Sequence, residues 1–239
     1  MITVVIPVLD EFENLGRLLP GLFSQAADLP VPIEIIVVDG GSRDGSYGRA
    51  LALGAKVIST ARGRGQQLRA GAEAARGDAL LFLHADSIFT PAGMIGLWRR
   101  LSEDPDCAGG NFRLLFDGED RFSRWLNGFY NWIRGKGFYY GDSGIFVRSS
   151  VYNRLGGIRA IPVMEDYDFV RRLEATGQTC CISEPCLVTS SRRFQGRSAI
   201  KIVSGWLFLH ALFHLGVSPD RLASLYGIGW RPPQRDSAG

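Results

Sequence analysis

Three acidic residues crowd into four positions at 165–168, where the chain reads Glu-Asp-Tyr-Asp. Repulsion between neighbouring carboxylates can raise the pKa of one of them toward the range that suits a general base. The segment also begins a predicted helix that continues to about Thr176, and carboxylates in a first turn are ordinarily partners of the helix dipole. Because a helix start lowers a carboxylate pKa, the sign of the net shift stays open. Acid-base chemistry and simple helix stabilisation are both compatible with this pattern.

A second acidic segment, Val-Asp-Gly-Gly-Ser-Arg-Asp-Gly-Ser at 38–46, follows an apolar strand. A carboxylate at the end of such a strand needs a polar partner, and the glycines allow a ligand to approach the backbone. We therefore favour ligand contact for Asp39. Asp44 has a structural alternative, because Asp and Ser commonly cap the start of a helix.

Two further segments hold groups suited to a diphosphate and its cation. The segment Ala-Arg-Gly-Arg-Gly-Gln-Gln at 61–67 places Arg64 and Gln66 at a helix start, where guanidinium and amide groups favour bound phosphate, although a solvated basic turn is the common alternative. In the segment 81–87, His84 and Asp86 follow an apolar strand, and two residues of a strand that are two positions apart share one face. Asp86 is an oxygen ligand of the kind that Mg²⁺ or Mn²⁺ requires, while His84 is as compatible with a structural role as with a ligand role.

Three arginines, Arg192, Arg193 and Arg197, precede an apolar stretch at 202–217. They could clamp a diphosphate leaving group, meet anionic lipid or serve solubility. The apolar stretch is shorter than the ~20 residues that a membrane-spanning helix needs. Two interpretations of it stay open: packing against the domain or a second subunit, and peripheral contact with a membrane.

The elements that position these groups alternate between strand and helix through the first 90 residues. Such alternation predicts an α/β fold with a mostly parallel sheet covered by helices on both faces, and it places ligands at the carboxyl ends of the strands. The predicted strands are 2–8, 33–38, 56–59 and 79–83, and the predicted helices are 15–23, 46–53 and 66–75. Beyond Pro91 we predict a helix to about Glu103, a strand at 107–116 and an aromatic-rich stretch at 122–140.

We divide the chain into a main domain at 1–197, a helical apolar appendage at 198–230 and a disordered tail at 231–239. The net charge of +3 and the pI of about 8.8 are mild and argue against a nucleic-acid groove. The four cysteines lack paired spacing, so we expect reduced thiols. With no recognisable export signal, the expected location is the cytoplasm, either free or at the inner face of the membrane.

The order of these motifs resembles an inverting family-2 glycosyltransferase of the GT-A type, a Rossmann-like fold. The resemblance covers roughly residues 1–190 and includes Ile-Pro-Val-Leu-Asp-Glu at 6–11, Val-Asp-Gly-Gly-Ser at 38–42, His-Ala-Asp at 84–86 and Glu-Asp at 165–166. The stretches GRGQQLRAGAEAARGDALLFLHAD and GDSGIFVRSSVYNRLGG are similar to a small bacterial subgroup labelled arsenosugar-biosynthesis or carotenoid-acid glycosyltransferases.

The resemblance implies a role for each matching residue. Asp39 would hold the nucleobase of the donor, and Pro7, Asp10 and Glu11 would form the nucleoside pocket. Asp86 would bind Mg²⁺ or Mn²⁺. Asp166, beside Glu165, would be the catalytic base. The residues implied to face the diphosphate are Arg64 with Gln66, His84, Arg192 and Arg193. The sequence departs from the family at His84, where an Asp is common, and at Gly40, which replaces a second Asp.

The implied reaction transfers a sugar from a nucleotide diphosphate, with a UDP-sugar favoured, to a small or lipid-like hydroxyl or carboxyl acceptor. Two rivals remain. A non-catalytic nucleotide-sugar-binding or scaffold protein would keep the fold and bind without turnover. A sugar nucleotidyltransferase would need a Gly-rich basic loop after the first strand, where this chain is acidic at 9–14.

Overall fold

The first strand, Ile2–Val8 (β1), lies in the interior of an eight-stranded sheet. A computed structural model describes residues 1–90, 92–189 and 199–229 of the chain. Short β-branched runs form the strands because their side chains pack well on a pleated surface. The other strands are Ile33–Asp39 (β2), Lys56–Ser59 (β3), Ala79–Phe82 (β4), Ile88–Phe89 (β5), Gly109–Phe116 (β6), Ile145–Arg148 (β7) and Thr179–Thr189 (β8).

Helices connect these strands in the alternating order that the sequence predicts. The helices are Phe12–Ala27 (α1), Ser46–Ala52 (α2), Arg64–Glu73 (α3), Gly93–Glu103 (α4), Arg121–Arg134 (α5), Ser149–Arg154 (α6), Glu165–Glu174 (α7), Ala199–His214 (α8) and Pro219–Gly229 (α9). A short 3-10 turn spans Gly141–Ser143.

The strand order is β3-β2-β1-β4-β7-β6-β8-β5. The four strands from β3 to β4 are mutually parallel, with Val5 opposite Ile36 on one side and opposite Phe82 on the other. Strand β7 runs antiparallel to β4 and β6, and β8 is parallel to β6. The sheet is therefore mixed, with its parallel half built from the first 82 residues, as the fold prediction requires.

Alternate side chains of β1 enter two different cores. Val4 belongs to a cluster with helices α1 and α4, whereas Val5 packs with α3, α6 and α7 on the opposite face. Such alternation is the consequence of a two-residue strand period in a sheet that is covered twice. The prediction of helices on both faces is confirmed.

Two predicted helices begin earlier than their apolar pattern indicates. Helix α1 begins at Phe12 rather than Leu15, because the N–H of Phe12 donates to the Asp44 side chain of a neighbouring loop. Helix α3 begins at Arg64 rather than Gln66, after Gly63 at φ 153°. The first contact joins residues distant in sequence, so no local pattern could predict it. The aromatic stretch at 122–140 is largely the helix α5.

Helix α8 packs against the domain by one face. Ile202 and Trp206 contact the main core, while Leu207 and Phe208 are 65% and 57% exposed. The inner face of α8 thus packs against the chain's own domain, which is one of the two interpretations of this stretch. The outer face is apolar and exposed, and contact of that face with a membrane or a second subunit stays a prediction. Across the described residues, helices fall short of the length and apolarity needed to cross a bilayer.

The cysteines whose side chains the structure describes, Cys107, Cys180 and Cys181, form no disulfide bond, and their reduced state stays a prediction. The sulfur atoms of Cys107 and Cys180 lie 2.6 Å apart, where the loop before β6 meets β8.

Candidate active site

The N-termini of helices α3 and α7 meet at the carboxyl-end edge of the sheet. Gly65 makes this approach possible, because a Cβ at that position would lie 2.8 Å from the carbonyl oxygens of both Arg159 and Ile161. Such a distance is too short for any side chain. The glycine therefore lets the first turn of α3 reach the loop that leads into α7, and this brings Arg64 to the acidic pair.

Arg64 forms ion pairs with both acidic residues. Its Nε donates to Oε1 of Glu165, and its Nη2 lies 3.1 Å from Oδ2 of Asp166. Glu165 and Asp166 are buried, whereas the Arg64 side chain is 41% exposed. The guanidinium therefore lies between two buried carboxylates and solvent, where it can also contact an incoming ligand.

The Asp166 carboxylate is held by two backbone groups in addition to Arg64. Its Oδ2 accepts the N–H of Gly141 at 2.9 Å, and its Oδ1 accepts the N–H of Tyr167 at 2.7 Å. Burial by itself raises the pKa of Asp166, but Arg64 and the two N–H groups outweigh burial and hold that pKa below its usual value. Asp166 is therefore ionised at neutral pH and able to accept a proton.

The neighbouring carboxyl shifts in the opposite direction. Burial, which is the largest influence, raises the pKa of Glu165, and the charge of Asp166 adds to it, while Arg64 opposes both. Two adjacent carboxyls whose pKa values move apart can take different roles in one site. The sequence left the direction of the pKa shift open, and the structure gives a raised pKa for Glu165 and a lowered pKa for Asp166.

Met164 precedes α7 with a left-handed backbone at φ 65°, and Asp10 has φ 56° in the loop after β1. Non-glycine residues adopt this conformation at a cost and only where surrounding contacts impose it. Both strained positions adjoin predicted site residues, so the fold fixes the direction in which the chain enters α1 and α7.

His84 faces the same guanidinium, with its Nε2 3.5 Å from Nη1 of Arg64. Burial and the charge of Arg64 lower the pKa of His84, so the imidazole is neutral. The site also closes around Gly141, where a Cβ would lie 2.9 Å from His84 Nε2. A neutral imidazole can accept a hydrogen bond or ligate a cation.

His84 and Asp86 do not share a strand face, contrary to the prediction, because β4 ends at Phe82. Both residues lie in a turn, in which Ser87 N donates to the carbonyl oxygen of His84. Asp86 is exposed to solvent. Among the described residues there is no group of three metal-ligating side chains. An exposed carboxylate can share Mg²⁺ with a bound phosphate and water, and the metal role of Asp86 stays a prediction.

The loops after β1 and β2 are joined by reciprocal hydrogen bonds. Asp10 N donates to Ser42 Oγ at 2.9 Å, and Asp10 Oδ1 accepts Arg43 N at 2.8 Å. Asp39 is buried and accepts the N–H groups of Gly41 and Ser42. The polar partner that a strand-ending carboxylate requires is thus supplied by its own loop, and the predicted contact of Asp39 with a base stays a prediction.

Asp44 accepts from Ser46 N at 2.9 Å and from Phe12 N at 3.0 Å, so it caps the starts of both α2 and α1. The capping alternative for Asp44 is therefore what the structure shows. Glu11 lies directly before α1, where its carboxylate accepts from Asn14 at 2.6 Å. Pro7 is partly buried at the end of β1, opposite Val38.

Sequence reasoning missed two features of this site. Gln67 is buried, and its Nε2 donates to the carbonyl oxygens of Val8 and Val38, each at 2.8 Å. Gln66, which was predicted to face the diphosphate, is exposed. The segment 140–142 contributes the Gly141 N–H and a buried Asp142, whose charge acts on Arg64 and His84. The glycines of Gly-Asp-Ser-Gly at 141–144 were the available signal. Arg192 and Arg193 lie outside the described residues.

The sequence matches the family model described as "Glycosyl transferase family 2" over residues 3–155. A glucosyl-3-phosphoglycerate synthase of Mycolicibacterium paratuberculosis is 36% identical over 106 residues, which are 41% of this chain and 31% of that protein. The chain thus matches less than a third of the length of that relative.

Solved structures share the fold at low sequence identity. A mannosyltransferase from Pyrobaculum calidifontis in complex with GDP-Man and Mn²⁺ aligns with a TM-score of 0.64 at 16% identity, covering 95% of this chain and 73% of that one. Glucosyl-3-phosphoglycerate synthase from Mycobacterium tuberculosis in complex with Mn²⁺ and UDP-glucose aligns with a TM-score of 0.59 at 20% identity, covering 91% and 79%. Because the family model matches more than half of the sequence, this chain belongs to glycosyl transferase family 2.

Proposed function

We propose that this protein is a metal-dependent inverting glycosyltransferase that uses a nucleotide-diphosphate sugar. The observation that carries the proposal is the meeting of α3 and α7, which places the Arg64 guanidinium against Glu165 and Asp166 and beside His84. The proton acceptor Asp166 and the Arg64 guanidinium, which can bind phosphate, are thus in direct contact. Direct displacement of a diphosphate by a hydroxyl uses both kinds of group in one site.

In the proposed reaction the acceptor oxygen attacks the anomeric carbon from the face opposite the diphosphate. The bond from that carbon to the diphosphate oxygen breaks, the electron pair leaves with the diphosphate, and the hydroxyl proton passes to Asp166. A single displacement inverts the configuration. The lowered pKa of Asp166 keeps it ionised and ready for the proton at neutral pH.

Arg64 has two successive roles in this proposal. Before the donor binds, its guanidinium neutralises the two buried carboxylates. A donor diphosphate offers the same guanidinium more negative charge in a bidentate geometry. When Arg64 turns toward the diphosphate, Asp166 keeps the N–H groups of Gly141 and Tyr167 but loses one positive neighbour, so its basicity rises as the leaving group is stabilised.

Asp86 and the donor phosphates would together hold Mg²⁺ or Mn²⁺, with the neutral His84 close by. A bound divalent cation neutralises charge that develops on the departing diphosphate. The exposed position of Asp86 suits such a site, because the phosphate must reach the same ion.

We favour a UDP-sugar as donor, with Asp39, Asp10, Glu11 and Pro7 around the nucleoside. Gln67 of α3 donates to the carbonyl oxygens of Val8 and Val38, which precede these two loops, and this proximity to the start of α3 supports a nucleotide site there. Solved relatives bind UDP-glucose in one case and GDP-mannose in another, each with Mn²⁺. Membership of the bacterial arsenosugar and carotenoid-acid subgroup rests on the two sequence stretches quoted above and stays a prediction.

Thermal unfolding with UDP, GDP, UDP-glucose and GDP-mannose, each with and without Mn²⁺, tests the proposal. A ligand that binds only the native state at 100 times its Kd adds about 2.7 kcal/mol of stability. We expect a Mn²⁺-dependent rise in Tm with one nucleotide class, and its loss in Asp86→Ala. Glu103→Ala, on the exposed end of α4, is the matched acidic control.

Stabilisation without sugar transfer to any acceptor would favour the non-catalytic binding protein instead. No stabilisation by any of the four nucleotides would contradict the proposed function.

A further inference from the structure

A cavity of about 270 Å³ lies between helices α5 and α8, and its walls are almost entirely aromatic and aliphatic. Trp132 and Ile133 contribute from α5, Val203, Trp206 and Leu207 from α8, and Tyr140 and Tyr167 from the segments between. Small-molecule sites of roughly 300–1,000 Å³ are lined predominantly by such side chains. This cavity lies just under that range, so it suits one end of a longer molecule.

The cavity and the active site share two backbone segments. Tyr140 and Tyr167 line the cavity, and each is next in sequence to a member of the active site, Gly141 and Asp166. Gly141 N donates to Asp166 at 2.9 Å, so the two segments are joined at that point. The charge of Asp166 also acts on the titration of both Tyr140 and His210. The proposed base thus lies one residue beyond the inner end of the cavity, which Tyr140 and Tyr167 form.

The polar atoms at the inner end are already paired. Tyr140 Oη lies 3.0 Å from His210 Nε2, Tyr167 Oη lies 2.8 Å from His214 Nε2, and His210 Nδ1 lies 2.8 Å from the carbonyl oxygen of Trp206. Burial lowers the pKa of His210, so that imidazole is neutral. The hydrogen-bonding groups of the cavity wall are therefore already satisfied, and a bound molecule would meet an apolar surface.

The described lining of the cavity carries little charge. Lys136 is the one lysine or arginine among the lining residues, and it is exposed. Toward the active site lie three buried carboxyl groups, those of Asp142, Glu165 and Asp166. Arg64 neutralises part of this charge, and a neutral hydroxyl can donate to the ionised Asp166.

The outer end continues onto exposed apolar surface. Trp132 and Leu207 line the cavity while their side chains are 62% and 65% exposed. An elongated apolar molecule longer than the cavity would cover these side chains with the portion that extends outward.

We propose that the cavity between α5 and α8 is the acceptor site and that the acceptor is a neutral lipid alcohol, with its hydroxyl at Asp166 and its chain along Trp206 and Leu207. The inference rests on the proposed function. The hydroxyl oxygen bonds to the anomeric carbon, its proton goes to Asp166, and the nucleoside diphosphate leaves. The described lining favours an apolar acceptor over a small anion such as phosphoglycerate.

Bromine quenches tryptophan on contact, and Trp132 and Trp206 line the cavity, so 11-bromo-1-undecanol is the probe for the full chain. We expect saturable quenching that Trp206→Phe reduces. Unbranched alcohols should compete, with affinity rising up to about fourfold per added methylene. Leu207→Glu places a charge at the cavity wall and should lower the affinity for the probe at least tenfold. Phe208→Glu, next on the same helix and outside the cavity, should change that affinity less than twofold.

Equal loss in Leu207→Glu and Phe208→Glu, or quenching that never saturates, would mean that the probe only partitions onto exposed apolar surface, and would overturn the proposal. The same protein is tested for nucleotide stabilisation. Stabilisation by nucleotide without quenching contradicts the acceptor site and leaves the proposed function standing. Saturable quenching without stabilisation by any nucleotide contradicts the proposed function. With a donor established, transfer to 1-decanol should exceed transfer to 3-phosphoglycerate, and the reverse preference would also overturn the proposal.

Discussion

Two sets of carboxylates in this protein have different kinds of partner. In the loops after β1 and β2, Asp10, Asp39 and Asp44 accept hydrogen bonds from backbone N–H groups. At the start of α7, Glu165 and Asp166 share the guanidinium of Arg64, a side chain that is 41% exposed. Backbone donors are fixed by the fold, whereas a guanidinium on the surface can rotate away.

This difference separates groups that build the site from groups that can react in it. Backbone N–H groups that hold a carboxylate keep their positions as long as the local fold is intact. Asp166 combines both kinds, because the N–H groups of Gly141 and Tyr167 hold it in place while Arg64 is exchangeable. We therefore expect substitutions at α7 to reduce rate and substitutions in the loops to reduce stability.

Asp166→Asn should have the largest effect, a loss of ~10² to 10⁴ in the rate of sugar transfer, because an amide cannot take the acceptor proton. The amide oxygen can still accept a backbone N–H, so stabilisation by the donor nucleotide should persist. Single-turnover transfer and thermal unfolding with nucleotide measure the two quantities. An Asp166→Asn protein that transfers sugar at the parent rate would remove Asp166 from its assigned role.

Arg64→Gln should lower kcat/KM about 10- to 100-fold, since a hydrogen bond to a charged group contributes roughly 1.5–3 kcal/mol. It should also move the acid limb of the pH profile. Asp166 has a lowered pKa in the folded protein, so activity that needs its ionised form is lost as pH falls through that pKa. Removal of the guanidinium raises that pKa, and the acid limb should move to higher pH. Arg62→Gln, an exposed arginine in the same loop, is the matched control. An acid limb that does not move would mean that Arg64 does not act on the base.

Gln67→Leu should destabilise the protein by about 1–3 kcal/mol, because it leaves the buried carbonyl groups of Val8 and Val38 without the amide that joins them. Gln66→Leu, on the exposed side of the same turn, should stay within about 0.5 kcal/mol in the absence of ligand. Urea unfolding of both proteins gives the comparison. Equal stabilities would show that Gln67 does not hold the strand ends together.

Asp44→Ala should cost about 1 kcal/mol through the loss of a helix cap, or roughly 2–4 °C in Tm for a chain of this size. Arg43→Ala keeps the backbone N–H that donates to Asp10 and should leave the Tm of the ligand-free protein unchanged. If Asp44→Ala lowered the transfer rate without lowering Tm, the separation between structural and reactive carboxylates would fail at this loop.

The alternation of strand and helix predicted the α/β fold, and strand β3 has the predicted bounds of Lys56–Ser59. The apolar period of two is local, so it can be read from neighbouring residues. The bounds of α1 and α3 were less well predicted, since they depend on Asp44 and on Gly63, groups outside the apolar pattern.

The residue types that could do chemistry are evident from the linear sequence: acidic residues at the ends of strands, arginines at a helix start and an acidic pair at 165–166. Their partners depend on the folded arrangement. Arg64 and Asp166 are far apart in sequence and meet because Gly65 lets two helices approach. The opposite pKa shifts of Glu165 and Asp166, and the aromatic cavity behind Tyr167, follow from that packing. Burial and charge act through space, and a linear pattern does not record distances between residues that only folding brings together.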